Sequence, residues 1–188
     1  MSTGDLDEAN VGFRKLAAGD FGLIHMWLNT DFVQRWYGKR AYSYQEVEEK
    51  YARYLNREKP TNAFLITYSG RPIGYIQTYR IGDYPDYARH VQVEEGAWGV
   101  DLFIGDREYI HRGLGAIILG RFLRETVFAS PGVTSCVVGP EPENLAAIRV
   151  YEKVGFEYLK TVELQDEDEP EHLMRITRVE LDARRPQR

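Results

Sequence analysis

The sequence predicts an α/β fold in which a mixed sheet of about seven strands carries helices on both faces. Three observations predict it. Segments of strand and helix character follow in the order strand, two helices, three strands, helix, strand, helix, two strands. The stretch Trp98 to Ala116 runs from a short apolar strand, Val100-Asp101-Leu102-Phe103-Ile104, through a glycine turn into a segment of helical period, Ile117 to Phe128. With 188 residues and 43% hydrophobic content, the chain is long enough to bury a sizeable core as one domain, 1–188.

Residues 1–9 are polar and read as a mobile tail, as does the basic 182–188. Val11 to Leu16 alternates as a first strand. Gly19-Asp20 then opens a helix with Phe21, Ile24, Met26, Trp27 and Leu28 as its apolar residues. The aromatic loop Phe32 to Gly38 either tucks against the core or lines a ligand site through Trp36 and Tyr37. Ser43 with Glu46 three residues on is a capping box for a second helix, which puts Val47, Tyr51, Tyr54 and Leu55 on one side. Ala63–Tyr68, Ser69-Gly70 and Pro72–Tyr79 read as a hairpin. Gly82 to Glu95, with Asp83, Asp86, Glu94 and Glu95 among tyrosines, reads as a solvated loop. Val133–Val138 is an interior strand, and Asn144–Val154 a helix ended by Gly155. Phe156–Leu164 and His172–Leu181 close the sheet around the acidic loop Gln165–Glu171.

Composition narrows the function classes. No apolar run is long enough to span a membrane and no leader pattern opens the chain, so a cytoplasmic enzyme or binding module is expected. A net charge of −5 argues against a nucleic-acid binder and suits a cationic small molecule. The single cysteine, Cys136, lies mid-strand and reads as core rather than nucleophile. His25, His90, His111 and His172 have no metal-ligand spacing, so no metal is expected.

The turn Arg112-Gly113-Leu114-Gly115-Ala116 joins a strand to a helix N-terminus, where backbone N–H groups and the helix dipole favour an anion such as a phosphate. The same glycines equally serve an ordinary tight turn. Asp101 stands inside an apolar strand, where a carboxylate costs several kcal/mol unless it has a partner or a purpose. Tyr151 follows Asn144 by seven residues, two turns along one helix face.

Arg112-x-Leu114-Gly115 together with Pro140-Glu141-Pro142-Glu143-Asn144 through Tyr151-Glu152-Lys153-Val154-Gly155-Phe156 resembles the paired acetyl-coenzyme A signature of the GCN5-related N-acetyltransferases (GNAT). Trp27-Leu28-Asn29, Trp36-Tyr37-Gly38, Pro72 to Gln77 and Gly99 to Ile104 extend the likeness to the aminoglycoside 6′-N-acetyltransferase branch, over most of 11–175. The resemblance implies the GNAT fold, with a mixed, mostly antiparallel sheet. It also implies acetyl transfer from acetyl-coenzyme A to a primary amine of a cationic small molecule, an aminoglycoside at its 6′-amine among them, and so antibiotic resistance.

By the same resemblance, Arg112, Gly113, Leu114, Gly115 and Ala116 hold the pyrophosphate, and Leu102, Phe103 and Ile104 pair with the pantetheine arm. Asn144 and Ala147 are further coenzyme contacts. Tyr151 protonates the departing thiolate, while Asp101 holds the acceptor ammonium beside Trp36 and Tyr37. Two positions depart from the pattern. Ile110 stands where the superfamily has Gln or Arg. Gly139 stands where the aminoglycoside branch often has a substrate-holding aspartate, with Glu141 the candidate to compensate. Other readings are a siderophore-precursor (hydroxylysine-type) or protein N-terminal acyltransferase and, in another class, a non-catalytic acyl-coenzyme A sensor. Monomer and homodimer are both compatible with the sequence.

Overall fold

The structure, a computed structural model, describes residues 7–164 and 169–184. Its strands are β1 (Val11–Lys15), β2 (Thr61–Tyr68), β3 (Arg71–Arg80), β4 (Ala97–Ile104), β5 (Ser135–Val138), β6 (Glu157–Val162) and β7 (Glu171–Thr177). Its helices are α1 (Phe21–Leu28), α2 (Asp31–Gln34), α3 (Tyr44–Leu55), α4 (Pro85–Val91), α5 (Leu114–Phe122), α6 (Leu145–Val154) and α7 (Arg178–Ala183). The strands form a seven-stranded sheet in the order β1-β2-β3-β4-β5-β7-β6. β1 runs antiparallel to β2, and β7 antiparallel to both β5 and β6. β4 and β5 pair in parallel, Ala97–Gly99 against Ser135–Val137. The expected mixed sheet flanked by helices is the observed one.

Two compact units divide the chain: Met1–Gln77 with Asp101–Ile118, and Thr78–Val100 with Leu119–Arg188. In the first, α1 and α3 bury Phe21, Ile24, Trp27, Leu28, Val47 and Tyr51 against Leu65 of β2, Tyr75 of β3 and Phe103 of β4. α3 starts where expected because Ser43 Oγ accepts from Glu46 N–H while the Glu46 carboxylate accepts from Ser43 N–H, satisfying two donors that the helix itself leaves unpaired. In the second unit, Ile81, Val91, Ala97, Val137, Val162 and Leu173 form the core. α6 is capped by Asn144 and stopped by Gly155 at φ +116°, a conformation that glycine adopts without strain.

Several boundaries differ from the sequence reading. The stretch expected as a solvated loop holds a 3₁₀ turn, Ile81–Asp83, and then α4, which Pro85 opens at a position needing no N–H donor. The last strand stops at Thr177, whose side chain and Glu180 form a second capping box that starts α7. α5 begins at Leu114, and Leu123–Val127 continue it as a π-helix. Within the expected tails, Asp7 caps a 3₁₀ turn over Glu8–Asn10, and Asp182-Ala183 end α7. Met26, expected on the apolar face of α1, is exposed. Of the acidic loop Gln165–Glu171, residues 165–168 lie outside the described residues, and Glu171 opens β7.

Candidate active site

In the first unit, β4 carries Asp101 and Phe103 on one side of the strand, two residues apart. Asp101 is half-buried, and its Oδ2 accepts a hydrogen bond from Gln77 Nε2 at 2.7 Å. Gln77, buried on β3, in turn accepts at Oε1 from the Tyr75 hydroxyl at 2.6 Å. The chain Tyr75–Gln77–Asp101 therefore gives the carboxylate a fixed donor, which is how an apolar strand tolerates it. Burial pushes the Tyr75 hydroxyl well above the ordinary phenol range, so it stays a donor.

Three further rings, those of Phe103, Tyr37 and Tyr51, cluster with Tyr75 of this chain. Tyr75 stacks on Phe103 at 5.5 Å between centroids, Tyr37 meets Phe103 edge-on at 5.0 Å, and Tyr51 meets Tyr75 edge-on at 5.3 Å. Tyr37 keeps part of its surface exposed, yet burial around its hydroxyl raises its pKa well above the usual value. Lys50 Nζ lies 5.5 Å from the ring centroids of both Tyr37 and Tyr51, within cation–π range. Burial lowers the Lys50 pKa, and the Asp101 charge opposes that shift. Trp36 is half-buried under the Arg35 guanidinium at 4.7 Å. β3 and β4 approach closely here: a Cβ at Gly74 would stand 2.4 Å from the Phe103 carbonyl oxygen.

The glycine turn belongs to the same unit. His111 and Gly113 take positive φ, +57° and +81°, and α5 begins at Leu114. Gly113 supplies the left-handed residue, and nothing stands within 4 Å of where its Cβ would be. The N–H groups of Gly113, Leu114, Gly115 and Ala116 open the helix with no acceptor one turn back within it. Arg112 and Gly113 are exposed, Gly115 and Ala116 half-buried, and Leu114 anchors the turn in the core. A groove lined by Leu23, Met26, Phe32, Arg71, Asp106 and Arg107 holds none of the residues named for the site.

The second unit contains the other named residues. Tyr151 is buried on α6, its ring 5.8 Å from that of Phe156. Asn144 Oδ1 accepts from Ala147 N–H at 3.1 Å, so these two form the helix cap. Glu141 is half-buried. At Gly139, a Cβ would lie 2.6 Å from Glu171 Oε2, and Tyr87 Oη donates to that oxygen at 2.9 Å. The space a side chain at 139 would need thus holds the Glu171 carboxylate. The acidic residues of 82–95 are largely ion-paired: Asp86 with Arg89, Glu94 with Arg175 at 3.1 Å, and Glu95 with Arg80 at 3.6 Å. Cys136 is fully buried. Among the described residues, no three His, Cys, Asp or Glu side chains gather as a metal site.

Gln77 and Lys50 carry no role in the sequence reading, and Glu171 figures there only as the end of the acidic loop Gln165–Glu171. Gln77 alone left a signal, an amide amid the apolar run Ile73–Ile76, two residues from Tyr75 and so on its side of β3.

The sequence profile of the acetyltransferase (GNAT) domain matches residues 17–164. Aminoglycoside N(6′)-acetyltransferase type 1 of Klebsiella pneumoniae is 30% identical over 159 residues, 84% of this chain and 79% of that protein. A kanamycin resistance protein of Rhizobium radiobacter is 39% identical over 75 residues, 40% of this chain and 68% of its own length. The structure of AAC(6′)-Ib in complex with paromomycin and acetyl-CoA superposes with a TM-score of 0.85 at 30% identity, covering 95% of this chain and 99% of that one. A spermidine N-acetyltransferase from Vibrio cholerae, at 18% identity and a TM-score of 0.73 over 92% of this chain and 98% of its own, shares the fold. A profile match across most of the chain and a relative at this identity and coverage agree with the two separated motifs: the chain belongs to the GNAT family of acetyltransferases.

Proposed function

We propose that this chain, acting as one cytoplasmic domain, transfers the acetyl group of acetyl-coenzyme A to a primary amine of a polycationic small molecule, an aminoglycoside at its 6′-amine in the first instance. The observation that carries the acceptor reading is Asp101, a half-buried carboxylate fixed by Gln77, on the same side of β4 as Phe103 and within electrostatic reach of Tyr37 and Tyr51. A negative oxygen next to aromatic faces binds an ammonium by ion pairing and cation–π attraction together. Trp36 and Glu141 are assigned to the acceptor wall. Glu171, in the space beside Gly139, is the carboxylate that stands in for the aspartate of the aminoglycoside branch.

The coenzyme pyrophosphate is assigned to the N–H groups of Arg112, Gly113, Leu114, Gly115 and Ala116, with Asn144 and Ala147 as further contacts. The pantetheine arm is assigned to Leu102, Phe103 and Ile104, as an added strand would pair. In the transfer, the acceptor nitrogen, having lost its proton to water, attacks the thioester carbonyl. The C–N bond forms, the C–S bond breaks, the Tyr151 hydroxyl protonates the departing thiolate, and the proton shed by the newly acylated nitrogen passes through water to restore the phenol. A phenol of pKa about 10 can serve a thiolate whose acid lies near 8.5. A carboxylate of pKa about 4 is a weak base for a lysine-type amine of about 10, so Asp101 acts chiefly by holding and orienting the ammonium. The test is thiol release from acetyl-coenzyme A with aminoglycosides, polyamines, lysine derivatives and peptides as acceptors. Turnover confined to the first two classes is the expected result, and turnover confined to lysine derivatives or peptides overturns it.

A further inference from the structure

A cation already stands in the ring cluster around Asp101. Lys50 lies on α3 one residue before Tyr51, half-buried, with its ammonium 5.5 Å from the centroids of both Tyr37 and Tyr51. Those rings are tied edge-on to Phe103 and Tyr75, and the polar end of the cluster is the Tyr75–Gln77–Asp101 chain. The Asp101 charge reaches Lys50, so ring faces and carboxylate act on one ammonium. Tyr51 is fully buried, with the Tyr37 side chain as its polar neighbour but no hydrogen bond of normal geometry at its own hydroxyl.

We propose that Lys50 is a tethered occupant of the acceptor-amine site, a specificity-determining residue whose ammonium fills the cage of Tyr37, Tyr51 and Asp101 until the acceptor displaces it. The inference rests on the reading that Asp101 binds the acceptor. Two ammonium groups a few ångströms apart repel, and one carboxylate does not neutralise both. An acceptor must therefore evict Lys50, whose flexible four-carbon stem lets its head swing to water. Burial works against any ammonium in this cage, Lys50 included, so the balance is tipped by contacts that an acceptor adds elsewhere. A polyamine or aminoglycoside brings such contacts and a simple monoamine does not. Lys50 thereby acts as a threshold against weakly bound amines.

The test compares the full chain with Lys50→Met, which keeps an unbranched stem without charge, and Lys50→Arg, which keeps a cation. Thiol release is measured with butylamine, spermine and kanamycin, and acceptor binding by calorimetry without acetyl-coenzyme A. Lys50→Met should lower KM and Kd for the amines by roughly two- to thirtyfold, the range that a cation–π contact is worth, with the largest gain for butylamine. Lys50→Arg, which keeps a cation, should show a smaller gain than Lys50→Met. In an Asp101→Asn background, the gain from Lys50→Met should largely disappear. A KM or Kd that rises or stays unchanged in Lys50→Met overturns the proposal and makes Lys50 a support of the site or an anion contact. If no amine is turned over while Lys50→Met still gains affinity, the reading of Asp101 in catalysis fails and the tethered cation stands. If no variant binds an amine, both fail.

Discussion

Gln77→Leu separates the structural from the chemical contribution of the Tyr75–Gln77–Asp101 chain. Leucine keeps much of the volume but removes both partners at once. Gln77 is 7% exposed and Tyr75 wholly buried, so the Tyr75 hydroxyl loses its acceptor where water does not replace it. An orphaned buried hydroxyl costs about 1–3 kcal/mol. The bond to the Asp101 carboxylate would add about 1.5–3 kcal/mol if fully enclosed, but Asp101 is only half-buried and water recovers part of that. The net expectation is a loss of about 2–4 kcal/mol of folding stability.

A double-mutant cycle with Tyr75→Phe isolates the first component. Phenylalanine keeps the ring on Phe103 and removes the hydroxyl, so in the double variant nothing is left orphaned at that end. The expected coupling is about 1–2 kcal/mol, read from urea unfolding of the parent, both single variants and the double variant. Acetyl transfer gives the other half: Gln77→Leu should lower kcat/KM more than Tyr75→Phe, because only Gln77 touches Asp101. Stability effects that add to within about 0.5 kcal/mol, as they do for independent sites, would refute the Tyr75–Gln77 bond. Equal kcat/KM in the two single variants would refute the claim that Gln77 positions the carboxylate.

Tyr151→Phe keeps the ring against Phe156 and removes the assigned proton donor, so kcat should fall by about 10²–10⁴-fold with coenzyme affinity intact, and a parental rate would return Tyr151 to a packing role. Gly74→Ala drives a Cβ to 2.4 Å from the Phe103 carbonyl oxygen, a backbone atom that moves only with β4, and should cost about 1–3 kcal/mol in chemical denaturation. Arg14 holds the Asp20 carboxyl below its usual range by a side-chain hydrogen bond, so its stabilisation is complete above the unfolded-state pKa and is lost as pH falls through the lower folded-state value. Asp20→Asn should remove that part of the acid dependence, less than about 1 kcal/mol for a pair whose arginine is half-exposed, as seen by comparing unfolding across and below the carboxylate range.

The elements that local chemistry specifies were legible in the chain. Ser43 with Glu46 and Asn144 with Gly155 set the ends of α3 and α6 because caps are local contacts. Where the reading went astray, two local rules competed. Thr177 and Glu180 are the same capping box as Ser43 and Glu46, but the alternation Ile176, Arg178, Glu180 against Thr177, Val179, Leu181 also suits a strand, and the longer pattern hid the shorter one. α4 is short, and its core anchor Val91 comes at its last residue, so Asp83 and Asp86 dominated its appearance.

The candidate site divides along the same line. Asp101 was legible because a carboxylate in an apolar strand is anomalous by itself, whatever the fold. Its donor was not, since Gln77 lies 24 residues away and becomes a partner only through the tertiary fold. Lys50 is the opposite case. On an amphipathic helix one residue from Tyr51, it satisfies every local expectation of a solvated charge. It becomes unusual only because the aromatic loop lays Tyr37 over it and β4 brings Asp101 into range. A residue whose local pattern is unremarkable and whose tertiary surroundings oppose its charge cannot be flagged by spacing or propensity. Such residues are found by asking what each buried cation faces, and at Lys50 that question leads back to the Asp101 carboxylate.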